Sequence, residues 1–368
     1  MYKKIFMGIA AVAALTLVSC SSDDLNSLSD NSSKNEAISF DGYWGRSAVS
    51  VNGSRGSELD KTALQNSTEG FGVFGNYKKA DGQEFGANLF NNQQVKYSST
   101  DNKWAYENTK YWPTEGHIDF LAYAPYVENP KFNGPSSINF TVENKVADQK
   151  DLLYAKADGQ TMANNSGTNK VKFQFKHALS RLGYSVKLKG TCSSDATITL
   201  KKITLAGSAP EPTTGTTTES AKAFYTNGTI DLSTGIWEKH SAGAGKQDFI
   251  NWFSGTQDVT SASESKPYKN PTSDYLFVIP QNFSEKIEDA GLQKENPDKL
   301  YVIVEYDIHY KDIDKTITNK VYKQLDKEFE QGKAYTINLT IGLTPIEFDV
   351  TTVEGWTDIN QVEINSWN

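Results

Sequence analysis

The chain is 368 residues long, with 45 Asp and Glu against 37 Lys and Arg and a formal charge of −8. That acidic balance argues against nucleic acid and against anionic membrane surfaces as partners. Tyr and Phe number 18 each and 27 Gly punctuate short alternating runs, whereas sustained helical periodicity is nearly absent, which is the composition of an antiparallel β protein.

The first residues read as an export signal. Lys3 and Lys4 make a charged end, Ile5 to Val18 an apolar middle, and Ser19 the small residue before a cut. The apolar run is too short for a transmembrane helix. Leu17, Val18, Ser19 and Cys20 resemble the bacterial lipobox, in which the cysteine becomes the first mature residue and carries acyl chains. Each buried CH₂ of such a chain contributes roughly 0.8 kcal/mol, so a multiply acylated Cys20 is a durable anchor. Ser21, Ser22, Asp23 and Asp24 resemble the acidic surface-export tag of lipoproteins from gut and oral Gram-negative bacteria. The residues that follow, to about Lys34, are Ser, Asn and Asp with almost nothing to bury, and predict a flexible tether. Loss of Lys3 and Lys4 with the signal takes the charge from −8 to −10. With Cys20 lipidated, Cys192 is the remaining thiol, so the fold rests on its core and not on a disulfide.

A signal at 1–19 and a tether at 20–36 leave enough chain for two domains of ordinary size, placed at 37–170 and 171–368. Short helices are predicted at Leu59 to Gln65, around His177 to Arg181 and at Ser284 to Ala290. Asn164 to Asn169 and Pro210 to Ser220 are small and polar and read as surface loops. The change of domain is set near Lys170, where a polar loop gives way to Val171, Phe173 and Phe175. In Ala196 to Ala206 the apolar parity changes between Leu200 and Ile203, which predicts a bulge across Lys201 and Lys202. Val302, Val304, Tyr306, Ile308 and Tyr310 share one strand face, with Glu305, Asp307 and His309 opposite. Tyr335, Ile337, Leu339, Ile341 and Leu343 repeat the pattern; Pro345 interrupts it, and Ile346, Phe348 and Val350 resume it.

Gly70 to Tyr77, Ile118 to Tyr126, Lys176 to Tyr184 and Tyr275 to Pro280, with other segments between and after them, together resemble the fimbrillin family, lipoprotein-precursor pilins of gut and oral Gram-negative anaerobes. Gly70 to Tyr77, Asn91 to Tyr97, Lys110 to Pro113 and Ile118 to Tyr126 look like successive strands of its N-terminal domain. Lys176 to Tyr184, Tyr275 to Pro280 and Gly332 to Trp356 resemble its C-terminal domain. The resemblance implies an all-β fold of two β-sandwich domains, a structural and not a catalytic role, no cofactor, and other fimbrial subunits as partners. It further implies an outer-membrane lipid anchor, adhesion to host or bacterial surface ligands, and polymerisation by donor-strand exchange once an N-terminal strand has been cut away. The strand to be displaced is Ile38 to Trp44, carrying Ile38, Phe40 and Trp44; the donor lies beyond Pro345, with Ile346, Phe348 and Val350. The alternative for that last segment is an ordinary terminal strand of its own domain.

The arginines support trimming without any family knowledge. There are three, and Arg46 and Arg55 both lie in the N-terminal segment, while Arg181 sits in a semi-apolar stretch. An arginine-specific protease could therefore remove Ile38 to Trp44 and spare the body; the family resemblance, through the spacing to the strand at Gly70, implies Arg55 as the site. The competing account is that Lys simply outnumbers Arg.

Other signals carry less. Gly70, Gly72 and Gly75 spell a dinucleotide fingerprint, but a polar turn follows where a phosphate-binding helix would be needed, so a Gly-punctuated strand is expected. Asp307, His309, Asp312 and Asp314 read as a solvated hairpin and not as metal ligands. His177 is expected to be structural, and no hydrolase or redox motif is present. The seven Trp residues keep one other function open, a surface glycan-binding lipoprotein of a nutrient-uptake system, because exposed indoles stack on sugars.

Overall fold

A computed structural model describes residues 36–43, 59–130, 136–165, 170–189, 195–207, 225–238, 249–260, 265–271, 274–284, 299–342 and 347–353. The N-terminal half carries β1 (Ser39–Tyr43), α1 (Lys61–Asn66), β2 (Phe71–Lys78), β3 (Phe90–Ser98), β4 (Lys103–Ala105), β5 (His117–Ala124), β6 (Ser137–Thr141), β7 (Leu153–Gln160), β8 (Lys170–Gln174) and β9 (Lys176–His177). Helix α1 forms where predicted, and the Asp60 carboxylate caps it by accepting from the Ala63 amide at 2.6 Å.

An antiparallel sheet in the order β4-β3-β2-β5-β7-β9 carries this half, and β1 and β8 form a two-stranded parallel ribbon. Aromatic side chains fill the space between them. Phe40 and Phe173 from the ribbon meet Phe71, Phe90 and Phe120 from the sheet. Val171, Phe173 and Phe175, expected to open the second domain, pack in this first cluster.

The second half carries β10 (Ser180–Leu188), β11 (Ala196–Ala206), β12 (Asn227–Asp231), β13 (Ile236–Trp237), β14 (Phe249–Asp258), β15 (Tyr268–Lys269), β16 (Leu276–Val278), β17 (Gln281–Asn282), β18 (Leu300–Tyr310), β19 (Lys315–Leu325), β20 (Glu328–Phe329), β21 (Ala334–Ile341) and β22 (Glu347–Val353). One sheet runs β15-β10-β21-β22, with β16 also on β10; the other runs β14-β11-β18-β19. Their facing residues, among them Tyr184, Val186, Ile198, Leu200, Val302, Val304, Ile337 and Leu339, build the second core. The predicted bulge is present: both neighbours of β11 shift register between Leu200 and Lys202.

A third apolar cluster joins the halves. Phe74, Leu121, Tyr123 and Ile138 pack with Leu179, Trp237, Phe277 and Ile279, and β6 pairs with β12 across the same seam.

The short helix predicted around His177 to Arg181 does not form. Lys176–His177 pairs with β7, and Ser180 begins β10, which has β21 on one side and β16 on the other. Ser180 through Val186 are all buried, the polar Ser180, Arg181 and Ser185 included, so both faces of this central strand are covered and it lacks the alternation of a half-exposed strand. The helix predicted at Ser284 to Ala290 lies, apart from Ser284, outside the described residues.

Candidate assembly interface

β1 pairs with one strand, and the residues leading into it are held from the other side. It runs parallel to β8, with Ser39 opposite Lys170, Phe40 opposite Val171, Asp41 opposite Lys172 and Gly42 opposite Phe173. On the other side the chain at 110–112 brackets the residues leading into it. The Ile38 amide donates to the Lys110 carbonyl at 2.9 Å, and the Trp112 amide donates to the Glu36 carbonyl at 3.1 Å. The Tyr106 hydroxyl donates to the Ile38 carbonyl at 2.7 Å. Burial pushes the Tyr106 pKa up, which keeps that hydroxyl a neutral donor.

The inward face of β1 is fully used. Ile38 is 1% exposed, Phe40 is 2% exposed and Gly42 is buried, while Ser39 and Asp41 are half-buried. The Phe40 ring lies among Tyr106, Phe90, Phe120 and Phe173, at centroid distances of 5.4, 5.5, 5.6 and 5.7 Å. Burying Ile38 and Phe40 contributes roughly 1.5 to 3 kcal/mol each. Without β1, that slot would open to water, β8 would lose its ladder, and the backbone at 110–112 would lose both bonds.

At the other end of the chain, β22 is the outermost strand of its sheet. Its seven residues pair antiparallel with β21, from Glu347 opposite Thr340 to Val353 opposite Ala334. Val350 is half-buried and packs on the second core, whereas Thr351 and Thr352 are exposed. An edge strand held by one neighbour can leave without breaking any ladder except its own. Ile346 and the side chain of Phe348 lie outside the described residues.

Residues 59–356 match the family model described as fimbrillin-like. The chain belongs to the fimbrillin-like family. That is a family of fimbrial subunits and not a class of enzymes. This fimbrillin-like chain is similar to Fimbrium subunit Fim1C of Phocaeicola vulgatus, with 27% identity over 401 residues that cover 97% of this chain and 98% of the relative. It shares its fold with a fimbrial protein from Bacteroides vulgatus, at a TM-score of 0.61 and 23% identity over 88% of this chain and 100% of that one.

Of the residues singled out in the sequence of this fimbrillin-like chain, Cys20, Trp44, Arg46 and Arg55 lie outside the described residues. Ile38 and Phe40 meet in the slot. Arg181 lies within β10 at 8% exposure, its guanidinium 4.3 Å from the centre of the Tyr275 ring, so it offers a protease nothing to grip. Sequence reasoning missed the slot's own walls, Tyr106, the 110–112 bracket and β8. The alternation of Val171, Phe173 and Phe175 was visible, but not what it packs against.

The other signals resolve as packing. Gly70 has φ +67°, and a Cβ on Gly72 or Gly75 would lie 2.5 Å from the Tyr123 ring or 2.7 Å from the Phe90 ring, so these glycines let strand β2 pass close under aromatic side chains. β18 and β19 form the expected hairpin; the Thr318 hydroxyl donates to Asp307, and His309 lies beside Thr316. Four indoles are described, those of Trp104, Trp112, Trp237 and Trp252; each is at most 6% exposed, and none offers a face to a sugar.

Proposed function

We propose that this fimbrial subunit is made as a lipoprotein precursor acylated at Cys20, carried to the cell surface and built into a fimbria by donor-strand exchange after arginine-specific trimming. Trimming at Arg55, with Arg46 as the second site, removes Ile38, Phe40 and Trp44. The C-terminal strand with Ile346, Phe348 and Val350 then leaves one subunit and enters the slot of the next. Other fimbrial subunits are the partners, the outer membrane holds the precursor through its acyl chains, and the finished fibre supports adhesion to host or bacterial surfaces.

The observation that carries this reading is the slot itself. β1 is buried as deeply as core, yet it is tied to the body by a two-stranded ribbon and a short bracket, and it precedes both candidate cleavage sites. A strand removed from such a place leaves an apolar groove with unpaired backbone edges, the situation that strand addition by a neighbour resolves. The burial of Arg181 supports cleavage confined to the N-terminal segment. Nothing among the described residues favours the glycan-binding reading, whose motive was exposed indoles.

The test is the double variant Arg46→Ala with Arg55→Ala. Treated with an arginine-specific protease, it should remain monomeric while the parent forms detergent-resistant ladders. Fibres of normal length from the double variant would end the trimming mechanism.

A further inference from the structure

The strand to be displaced and the strand to be donated carry the same pattern. Ile38-Ser39-Phe40-Asp41 is matched by Ile346-Glu347-Phe348-Asp349. Ile-x-Phe occurs twice more, at Ile118 and Ile138, but Leu121 and Thr141 follow there in place of Asp. We propose that residues 344–350 of one copy replace residues 36–42 of the next position for position and in the same direction, so that the N-terminal strand is a place-holder built to the donor's own pattern. This rests on the reading that trimming vacates the slot.

The register is set by charge. On the outward face of the ribbon β1 sets Ser39 opposite Lys170 and Asp41 opposite Lys172. In the proposed register Glu347 takes the place of Ser39 and Asp349 that of Asp41, so two carboxylates stand opposite two lysines. At home on β21 the same two residues stand opposite Thr340 and Asn338, neither of them a cation. Opposite-charge pairs across a ladder are favourable and like-charge or unpaired ones are not, which is enough to choose a register among otherwise similar ones. A slip of two residues toward the C-terminus of β8 would put Asp349 opposite Gln174 and one carboxylate would lose its partner.

The proline fits the same alignment. Pro345 falls at the place of Ala37, which bridges Tyr111 through bonds made by its neighbours: the Ile38 amide donates and the Glu36 carbonyl accepts. The amide that proline lacks is therefore not used on that side. Phe348 takes the place of Phe40 among Phe90, Tyr106, Phe120 and Phe173, and Ile346 takes that of Ile38. On the inward face Val350 is the larger residue, brought opposite Phe173 where β1 has Gly42.

Disulfide trapping reads the register directly, because cross-strand neighbours lie within disulfide reach and residues offset by two do not. The full chain is expressed with its acylated Cys20 and with Cys192→Ser to remove the other thiol. One variant adds Asp349→Cys and Lys172→Cys; a second adds Asp349→Cys and Lys170→Cys. After arginine-specific trimming and mild oxidation, the first should give covalent ladders on a non-reducing gel and the second should not. Equal or longer ladders from the second, or fibres with no covalent ladder from the first, overturn the register while leaving strand exchange standing. A trimmed parent that forms no polymer removes the trimming reading, and this proposal with it. As a second measurement, Lys170→Glu with Lys172→Glu should slow assembly several-fold, and Glu347→Lys with Asp349→Lys in the same chain should restore it; no rescue counts against the charge pairing.

Discussion

Replacing Phe40 with Ala should weaken the precursor and spare the assembled subunit. The side chain is 2% exposed and has four aromatic rings within 5.7 Å. Three of those neighbours, Phe90, Phe120 and Phe173, are themselves buried and fixed by their own strands, so the space cannot collapse. Removing a phenyl ring from such a site costs about 3 to 5 kcal/mol, the sum of lost transfer energy, lost edge-to-face contacts and a residual cavity. Urea unfolding of the untrimmed chain, followed by near-ultraviolet circular dichroism of the aromatic cluster, should show the loss as a lowered midpoint with an unchanged slope. The same substitution should leave detergent resistance of the trimmed polymer unaltered, because Phe40 has been cut away and another strand fills its place. A loss under about 1 kcal/mol in the precursor would refute the packing argument. An equal loss in the polymer would mean that β1 stays in the fibre.

Cys20→Ala should abolish incorporation of labelled palmitate and release the protein from the outer membrane; unchanged labelling would sink the lipoprotein reading. Glu69 offers a pH test. The Lys150 ammonium at 2.9 Å, with the Ser67 hydroxyl, holds its carboxyl at about 2, against an ordinary 4.5. A carboxylate depressed in the folded state adds stability above its unfolded pKa and loses it as pH falls through the folded one, so the turn at Ser67 to Gly70 should loosen between pH 4.5 and 2. Lys150→Met should raise the Glu69 titration seen by carboxyl NMR, and an unmoved titration would acquit the lysine. Gly70→Ala should lower the urea midpoint by the equivalent of about 2 kcal/mol or more, because φ is +67° and the new Cβ would lie 2.1 Å from the Val95 carbonyl oxygen; a neutral result would show that β2 can shift at its start.

Much of the fold was legible because a strand with one buried face repeats every two residues. Tyr335, Ile337, Leu339 and Ile341 are all at most 1% exposed, as their alternation required, and the parity change in β11 marked its bulge. Alternation fails where both faces are covered, as at the start of β10, where the helix expected around His177 to Arg181 gives way to the end of β9, a short turn and the first residues of a central strand. Along the chain, then, the amino-acid sequence determined which segments are strands, which faces they bury, where they turn, and which ends carry matching Ile-x-Phe-Asp patterns. The tertiary structure alone decided what each strand lies against. That β1 runs parallel to β8, with its chain direction and its partner some 130 residues away, follows from the fit of Phe40 among rings drawn from β3, β5, β8 and the loop after β4. Periodicity records that a side chain leaves water but carries no information about its neighbours, because burial is non-directional and any apolar surface of the right shape satisfies it.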